Sequence, residues 1–482
     1  MTIRRLSVPA APALAALLLT GGLAAQQPAA DSVTPGRVVA KIATRADAGR
    51  SYALYLPSAY TREKTWPLLI LMDPRGRAMV PMELFREAAE RNGWVLMSSY
   101  NTLSDADSAA TVNDASLDAM LLDAQQNLSI DTRRLYLAGF SGTARHAWGT
   151  AVQLDGNLAG IVAVGAGFPS QTGVWRAMLP RLKPFAVYNT VGDLDFNHDE
   201  MFAVDTLLAA THHPHRLVTF AGPHSWPPKE VAAEALEWLQ LQAMKSGLAP
   251  RDEPWIDSVL AARLARARAL EAAGAGVDAL REYRSLVADF GGLRDVAEAE
   301  ARRIALERDR GVQRAAARRD ALAARWRPYS ERLLAWLAEV RSEPRLPPQG
   351  RSLATLEVER LKREAADSTD RDAAMSARRL LALAFAWTGG LEQGRYMSQR
   401  DYARAVYLLR IAEAIRPRDP GVCYSLARAL AQSGETDPAL DALACAVDSG
   451  RLPAATLAND RLLDPLRQQP RFAEIAGRMP RT

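Results

Sequence analysis

The chain changes its periodicity once, near residue 250, and that change divides what it can fold into. From Arg50 to about Met244, short β-branched and aliphatic runs alternate with helical patterns. After Gly247-Leu248-Ala249-Pro250 those runs stop, and Ala, Leu, Arg and Glu recur at helical spacing. The first pattern predicts a mostly parallel sheet flanked by helices, an α/β fold, and the second an all-α region. Strands are expected at Tyr52 to Leu56, Leu68 to Met72, Val95 to Ser99, Leu135 to Ala138, Ile161 to Val164, Phe185 to Thr190 and Leu217 to Phe220. Several are continuous apolar runs, as in strands buried on both faces. Helices are expected at Met82 to Arg91, Val112 to Gln126, Ala144 to Gln153, Glu200 to Ala210 and Lys229 to Met244.

The N-terminus reads as an address. Arg4 and Arg5 precede an apolar stretch from Ala10 to Ala25, broken by Pro12 and Gly21-Gly22. A charged start, about 15 apolar residues and small residues before Gln26 make a secretory signal peptide cleaved after Ala25. The stretch is short of the roughly 20 clean apolar residues of a spanning helix. No later run reaches that length, so an exported protein without a transmembrane segment is expected, periplasmic or secreted. The expected organisation is a signal peptide at 1–25, an α/β domain at 31–248, and helical domains at 251–370 and 371–482.

Within the helical half, Pro420 to Gly450 carries Leu426, Ala427, Leu430, Gly434, Ala439, Leu443 and Ala446 at the spacing by which paired helices pack. Tyr402 to Ile415 repeats the second-helix positions with Ala405, Leu409, Ala412 and Pro417, its first helix set apart by an insertion around Gly389 to Gln399. A weaker copy spans Leu260 to Phe290. This half resembles an irregular tetratricopeptide array, which implies docking of a protein partner or self-association. Cys423 and Cys445 are the two cysteines, too few for a disulfide framework or a four-cysteine zinc site. Whether they pair is left open by the sequence.

Three turns of the α/β half carry candidate chemistry. Leu135-Tyr136-Leu137-Ala138 runs into Gly139-Phe140-Ser141-Gly142-Thr143 and then a helical segment, the strand–turn–helix context of a nucleophile elbow. Thr143 stands where G-x-S-x-G has its second glycine, a departure that puts a β-branched side chain in a crowded place. After the strand at Phe185 to Thr190 comes Gly192-Asp193-Leu194-Asp195, and after that at Leu217 to Phe220 comes Gly222-Pro223-His224-Ser225-Trp226-Pro227. Serine, acid and histidine thus follow in the order used by α/β-hydrolases, each in a turn after a strand. Asp193 competes with Asp195 as the acid, and the Gly-x-x-Asp spacing favours Asp195.

With Tyr55-Leu56-Pro57, the Gly139-Phe140-Ser141-Gly142 elbow, Gly192-x-x-Asp195 and His224-x-Trp226-Pro227, residues from about Arg50 to Gly247 resemble secreted α/β-hydrolases of the polyhydroxybutyrate depolymerase and feruloyl esterase type. The resemblance implies Ser141 as nucleophile, Asp195 as acid and His224 as general base, acting on a small-molecule or polymer-derived ester without a cofactor. It implies an oxyanion hole made by the N–H of Gly142 and one from the loop Met72-Asp73-Pro74-Arg75-Gly76-Arg77. The usual His-Gly pair is absent there, and Pro74 has no N–H. The second donor is expected at Arg75 or Gly76, with Arg75 preferred, and Asp73 is a candidate for fixing the loop. The side chains of Arg75 and Arg77 leave two readings open, attraction of a carboxylate-bearing substrate or simple solvation. A catalytically inactive hydrolase-like domain in a tetratricopeptide scaffold is the alternative, and a peptidase of related fold a third reading.

Other classes find little support. Gly165-Ala166-Gly167 lacks the third glycine and later acid of a dinucleotide fingerprint and reads as a turn. His212-His213-Pro214-His215 cannot readily converge on one ion and reads as a polar loop, so no metal is expected. The net charge of +5 arises from the helical half, since residues 26–250 hold 19 basic and 22 acidic residues and residues 251–482 hold 39 and 33. Arginine pairs such as Arg302-Arg303 and Arg318-Arg319 alternate with acids on helices. No nucleic-acid partner is expected.

Overall fold

The alternating half folds as an eight-stranded sheet. The computed structural model describes residues 33–104, 109–168, 172–450 and 452–479. The expected signal peptide lies outside them. The strands are β1 (Val38–Ala43), β2 (Ser51–Tyr55), β3 (Trp66–Met72), β4 (Val95–Ser99), β5 (Ile130–Phe140), β6 (Gly160–Val164), β7 (Ala186–Gly192) and β8 (His215–Phe220). Their order is β1-β2-β4-β3-β5-β6-β7-β8. Strands β1, β2 and β4 pair antiparallel and every other pairing is parallel. This is the mostly parallel sheet flanked by helices that the periodicity predicts.

Helices α1 (Met79–Asn92), α2 (Ala109–Asn127), α3 (Gly142–Gln153), α4 (Thr172–Met178), α5 (His198–Leu208) and α6 (Lys229–Lys245) lie between or after the strands. Strand side chains alternate between faces, so each strand feeds two cores. Leu68, Ile70 and Met72 of β3 join Leu117 and Met120 of α2 and Ala147 and Trp148 of α3 on one side. Leu69 and Leu71 join Phe85 of α1 and Leu236 and Leu239 of α6 on the other. The sequence reading overlooks β1, a half-exposed antiparallel strand, and begins β5 five residues late because the start of that strand, Ile130-Asp131-Thr132-Arg133-Arg134, is mostly polar.

The rest of the chain is a large helical region. Helices α7 (Glu253–Ala272), α8 (Gly276–Phe290), α9 (Ala297–Arg308) and α10 (Arg310–Ala323) come first. Then follow α11 (Trp326–Ser342), α12 (Gln349–Thr355), α13 (Val358–Ala366), α14 (Arg371–Ala386) and α15 (Glu392–Ser398). Helices α16 (Tyr402–Ile415), α17 (Pro420–Gln432), α18 (Thr436–Asp448), α19 (Ala454–Asn459) and α20 (Pro470–Gly477) close the chain. A π-turn at Trp387–Leu391 joins α14 to α15, so the segment expected as an insertion is itself helical and packs on α16. Helices α17 and α18 form a packed hairpin, with Leu426, Leu430, Ala439 and Leu443 at its centre and Cys423 bonded to Cys445 across it. One apolar core runs from Tyr329 to Ile475 and crosses residue 370 without interruption, so the expected division there does not separate two cores. Among the described residues no helix is long and apolar enough to cross a membrane.

Candidate active site

The geometry starts from the elbow. Ser141 has φ 55° and ψ −124°, a conformation that a non-glycine residue holds only when its surroundings enforce it. A Cβ on Gly139 would lie 2.3 Å from the carbonyl oxygen of Thr143, so glycine is required where strand and helix cross. Thr143, the departure from the motif, is fully buried. Its hydroxyl accepts from the Phe140 N–H at 3.0 Å, and its one proton faces the carbonyls of Met72 at 2.6 Å and Phe140 at 2.8 Å. The β-branched side chain therefore fastens the elbow to the end of β3. From the sequence Thr143 is a departure that crowds the turn; the hydrogen-bonding capacity of its hydroxyl is the signal for this role.

Ser141, Asp195 and His224 are brought together. His224 Nε2 lies 2.9 Å from Ser141 Oγ, and its Nδ1 lies 2.9 and 2.8 Å from the two oxygens of Asp195. Asp195 is inaccessible to solvent, and its Oδ1 also accepts from the Asn197 N–H. Asp193 faces elsewhere, accepting from the Gly222 N–H at 2.9 Å and so tying the acid turn to the histidine turn. The two turns approach so closely that a Cβ on Gly192 would meet the Gly222 carbonyl oxygen at 2.3 Å. Gly165, read from the sequence as a mere turn, lies under the group: its φ is +63°, and a Cβ there would stand 2.9 Å from Asp195 Oδ2 and 3.1 Å from His224 Nδ1. Phe140, Phe196 and Trp226 enclose this end, with Phe196 and Phe140 centred 4.2 and 4.6 Å from the His224 ring.

The loop after β3 departs from expectation. Gly142 is the first residue of α3, so its N–H has no partner within the helix and remains a candidate donor to an oxyanion. The Arg75 N–H, the other expected donor, instead donates to Asp73 Oδ1 at 2.9 Å, and the Gly76 N–H to the Asp73 carbonyl at 3.1 Å. The reason is local. Asp73 is a fully buried carboxylate that also accepts from the N–H of Arg77, the Arg77 guanidinium and Trp226 Nε1. Burial alone would raise its pKa, but the bonds from Arg77, Trp226 and the two N–H groups outweigh burial and hold it below the usual carboxylate range. Asp73 thus joins the β3 loop to the histidine turn, and Arg75 N–H is spent on that junction.

The histidines of the 212–215 tract are engaged separately. His213 is buried, its Nε2 2.9 Å from the Leu179 carbonyl, while His212 bonds the Leu182 carbonyl. Among the described residues no group of three or more ligating side chains could hold a metal ion. A cleft of about 2000 Å³ lies between the sheet and the helical region, lined by Asp193, His198, Asp199, Arg281, Arg319 and Arg379 among others. It is lined by none of Ser141, Asp195 and His224, so the chemistry is placed by the side-chain geometry and not by this cavity.

No family model matches the chain, and no curated protein matches it. Solved structures do match in part. A hyperthermophilic esterase from the archaeon Pyrobaculum calidifontis is 15% identical over 43% of this chain and 87% of its own, with a TM-score of 0.34. An S-formylglutathione hydrolase from Staphylococcus aureus is 13% identical over 40% and 90%, with a TM-score of 0.33. A fluorophosphonate-binding serine hydrolase of the same bacterium is 13% identical over 43% and 99%, with a TM-score of 0.35.

Proposed function

We propose that the protein is a serine hydrolase of carboxylic esters that works through an acyl-enzyme, with Ser141 as nucleophile, His224 as general base and Asp195 as the acid that orients it. The observation that carries this reading is the continuous bond from Ser141 Oγ through the His224 ring to Asp195, all within 2.9 Å. A serine hydroxyl is a poor nucleophile until a neighbouring base takes its proton. His224 Nε2 accepts that proton as Ser141 Oγ bonds to the substrate carbonyl carbon. Asp195 holds the Nδ1–H tautomer and stabilises the imidazolium that results. Collapse of the tetrahedral intermediate releases the alcohol, which takes the proton from His224. Water, deprotonated by the same nitrogen, then attacks the acyl-serine, and as the acid is freed His224 returns the proton to Ser141 Oγ. The oxyanion is met by the Gly142 N–H and the positive end of α3.

Export fits this reading, because a disulfide such as Cys423–Cys445 persists in oxidising compartments. The helical region, with its tetratricopeptide-like spacing, then serves partner docking or self-association. One observation favours the second reading, an inactive domain in a binding protein: the Arg75 N–H is engaged by Asp73, leaving one expected oxyanion donor short. Labelling by a fluorophosphonate probe, run beside hydrolysis of short-chain nitrophenyl esters, separates the two. The hydrolase is expected to label and turn over, and Ser141→Ala to abolish both. A wild-type protein inert to probe and ester would leave the scaffold reading.

A further inference from the structure

The acid turn is held from two sides. On the sheet side, Asp193 N–H donates to the Phe220 carbonyl at 2.8 Å, Leu194 N–H to the Gly222 carbonyl at 3.0 Å, and Asn197 Nδ2 to the Gly165 carbonyl at 2.8 Å. The carbonyl of Asp193 points the other way. It accepts from Nε of Arg379, on α14, at 2.7 Å, a contact that spans 186 residues of sequence. The same guanidinium reaches Asp199 with Nη1 at 3.7 Å, so its two contacts bracket Asp195, two residues beyond the first and four before the second. Apolar contact reinforces it: Phe196, whose ring lies against His224, packs on the core of the helical region.

The helical region is also joined to the sheet through α7 and α8. Arg216 of β8 and Glu234 of α6 meet Arg263 and Arg266 of α7 and Glu282 and Asp289 of α8 in one ion cluster. Trp238 Nε1 and Gln242 Nε2 of α6 add hydrogen bonds to Asp289 at 2.9 and 3.1 Å. Taking a guanidinium out of water costs free energy unless its donors are used. The Arg379 side chain is 18% exposed, and Nε, its closest donor, goes to the acid turn.

We propose that Arg379 is a positioning residue of the hydrolytic site, by which the helical region holds the acid turn so that Asp195 meets His224. The helical region is then a working part of the site as well as a docking surface. The proposal rests on the hydrolase reading above. Its physical basis is that a shift of about 1 Å in a catalytic group can cost as much as 100-fold in rate.

Three variants of the full-length protein test it: Arg379→Ala, Arg379→Lys, and Arg268→Ala as a control that breaks an exposed pair with Glu298 inside the helical region. Circular dichroism and thermal melting check that each is folded. In Arg379→Ala, kcat for a nitrophenyl ester and the fluorophosphonate labelling rate should fall about 10- to 100-fold with KM little changed, since orientation and not substrate contact is lost. Arg379→Lys, which keeps the charge but not the planar fork, should fall between, and added guanidinium should restore part of the Ala variant's rate. The far-downfield proton resonance of His224 Nδ1–H should shift or broaden in Arg379→Ala and stay in place in Arg268→Ala. Wild-type kcat and an unmoved resonance in folded Arg379→Ala would overturn the proposal, as would a change confined to KM. Should wild type be inert while the resonance still moves, the hydrolase reading fails and the positioning role stands. If Arg379→Ala does not fold, Arg379→Lys decides by the same two readouts.

Discussion

Thr143 carries the lesson of the residue scale. Its side chain breaks a glycine pattern, yet its hydroxyl serves Phe140 and Met72 where no water reaches. Thr143→Val keeps the shape and removes the hydroxyl, leaving a buried N–H and a buried carbonyl without that partner. The expected loss is about 1–3 kcal/mol of stability, measured as a lower denaturation midpoint, with slower fluorophosphonate labelling because the elbow is less firmly tied to β3. An unchanged midpoint would mean that the hydroxyl contributes nothing. The positions of Ser141, Asp195 and His224 in three post-strand turns were legible in the sequence because chain order and strand patterning are local. The fate of the Arg75 N–H was not. It depends on a buried Asp73 that also holds Arg77 and Trp226, the latter 153 residues away.

At the scale of elements, strands buried on both faces were the most legible, because continuous apolar runs such as Trp66–Met72 admit few other readings. Half-exposed β1 was missed because Val38–Ala43 shows no clean alternation. The hairpin of α17 and α18 was foreseen from its small and apolar residues, but its covalent link was left open. Cys423 and Cys445 face each other there with Cα atoms 5.8 Å apart. Closing a loop with a separation of 22 residues stabilises the fold by about 3 kcal/mol in the chain-entropy account. The double variant Cys423→Ser with Cys445→Ser should therefore unfold at lower denaturant, and reductant should shift the wild type but not the variant. Equal midpoints with and without reductant would show the bond to be absent or without effect.

For the whole molecule, the decisive feature is the seam between sheet and helices. Glu282 illustrates it: burial pushes its pKa up, but Arg216, Arg263 and Arg266 outweigh burial and bring it from an ordinary 4.5 to about 2. A carboxyl whose folded pKa is depressed contributes stability that is present above the unfolded value and lost as pH falls through the folded one. The seam should hold above about pH 4.5 and weaken as pH drops toward 2. Denaturant midpoints taken across that range should fall more steeply for wild type than for Glu282→Gln. Parallel curves would show that the ion cluster does not couple the two regions. At neutral pH, Arg216→Ala should cost about 3–5 kcal/mol, because it leaves buried carboxylates without their partner.

By itself the sequence determined the alternation of strands and helices, the point near residue 250 where it stops, and the order of serine, acid and histidine. Those are properties of neighbouring residues: side-chain period, turn composition and the turn that follows each strand. Only the tertiary structure decided which aspartate faces His224, that Asp73 takes the Arg75 N–H, and that Arg379 reaches back 186 residues to the acid turn. Each of these is settled by a buried polar group that must find a partner, and the partner is supplied by whatever element the packing brings near.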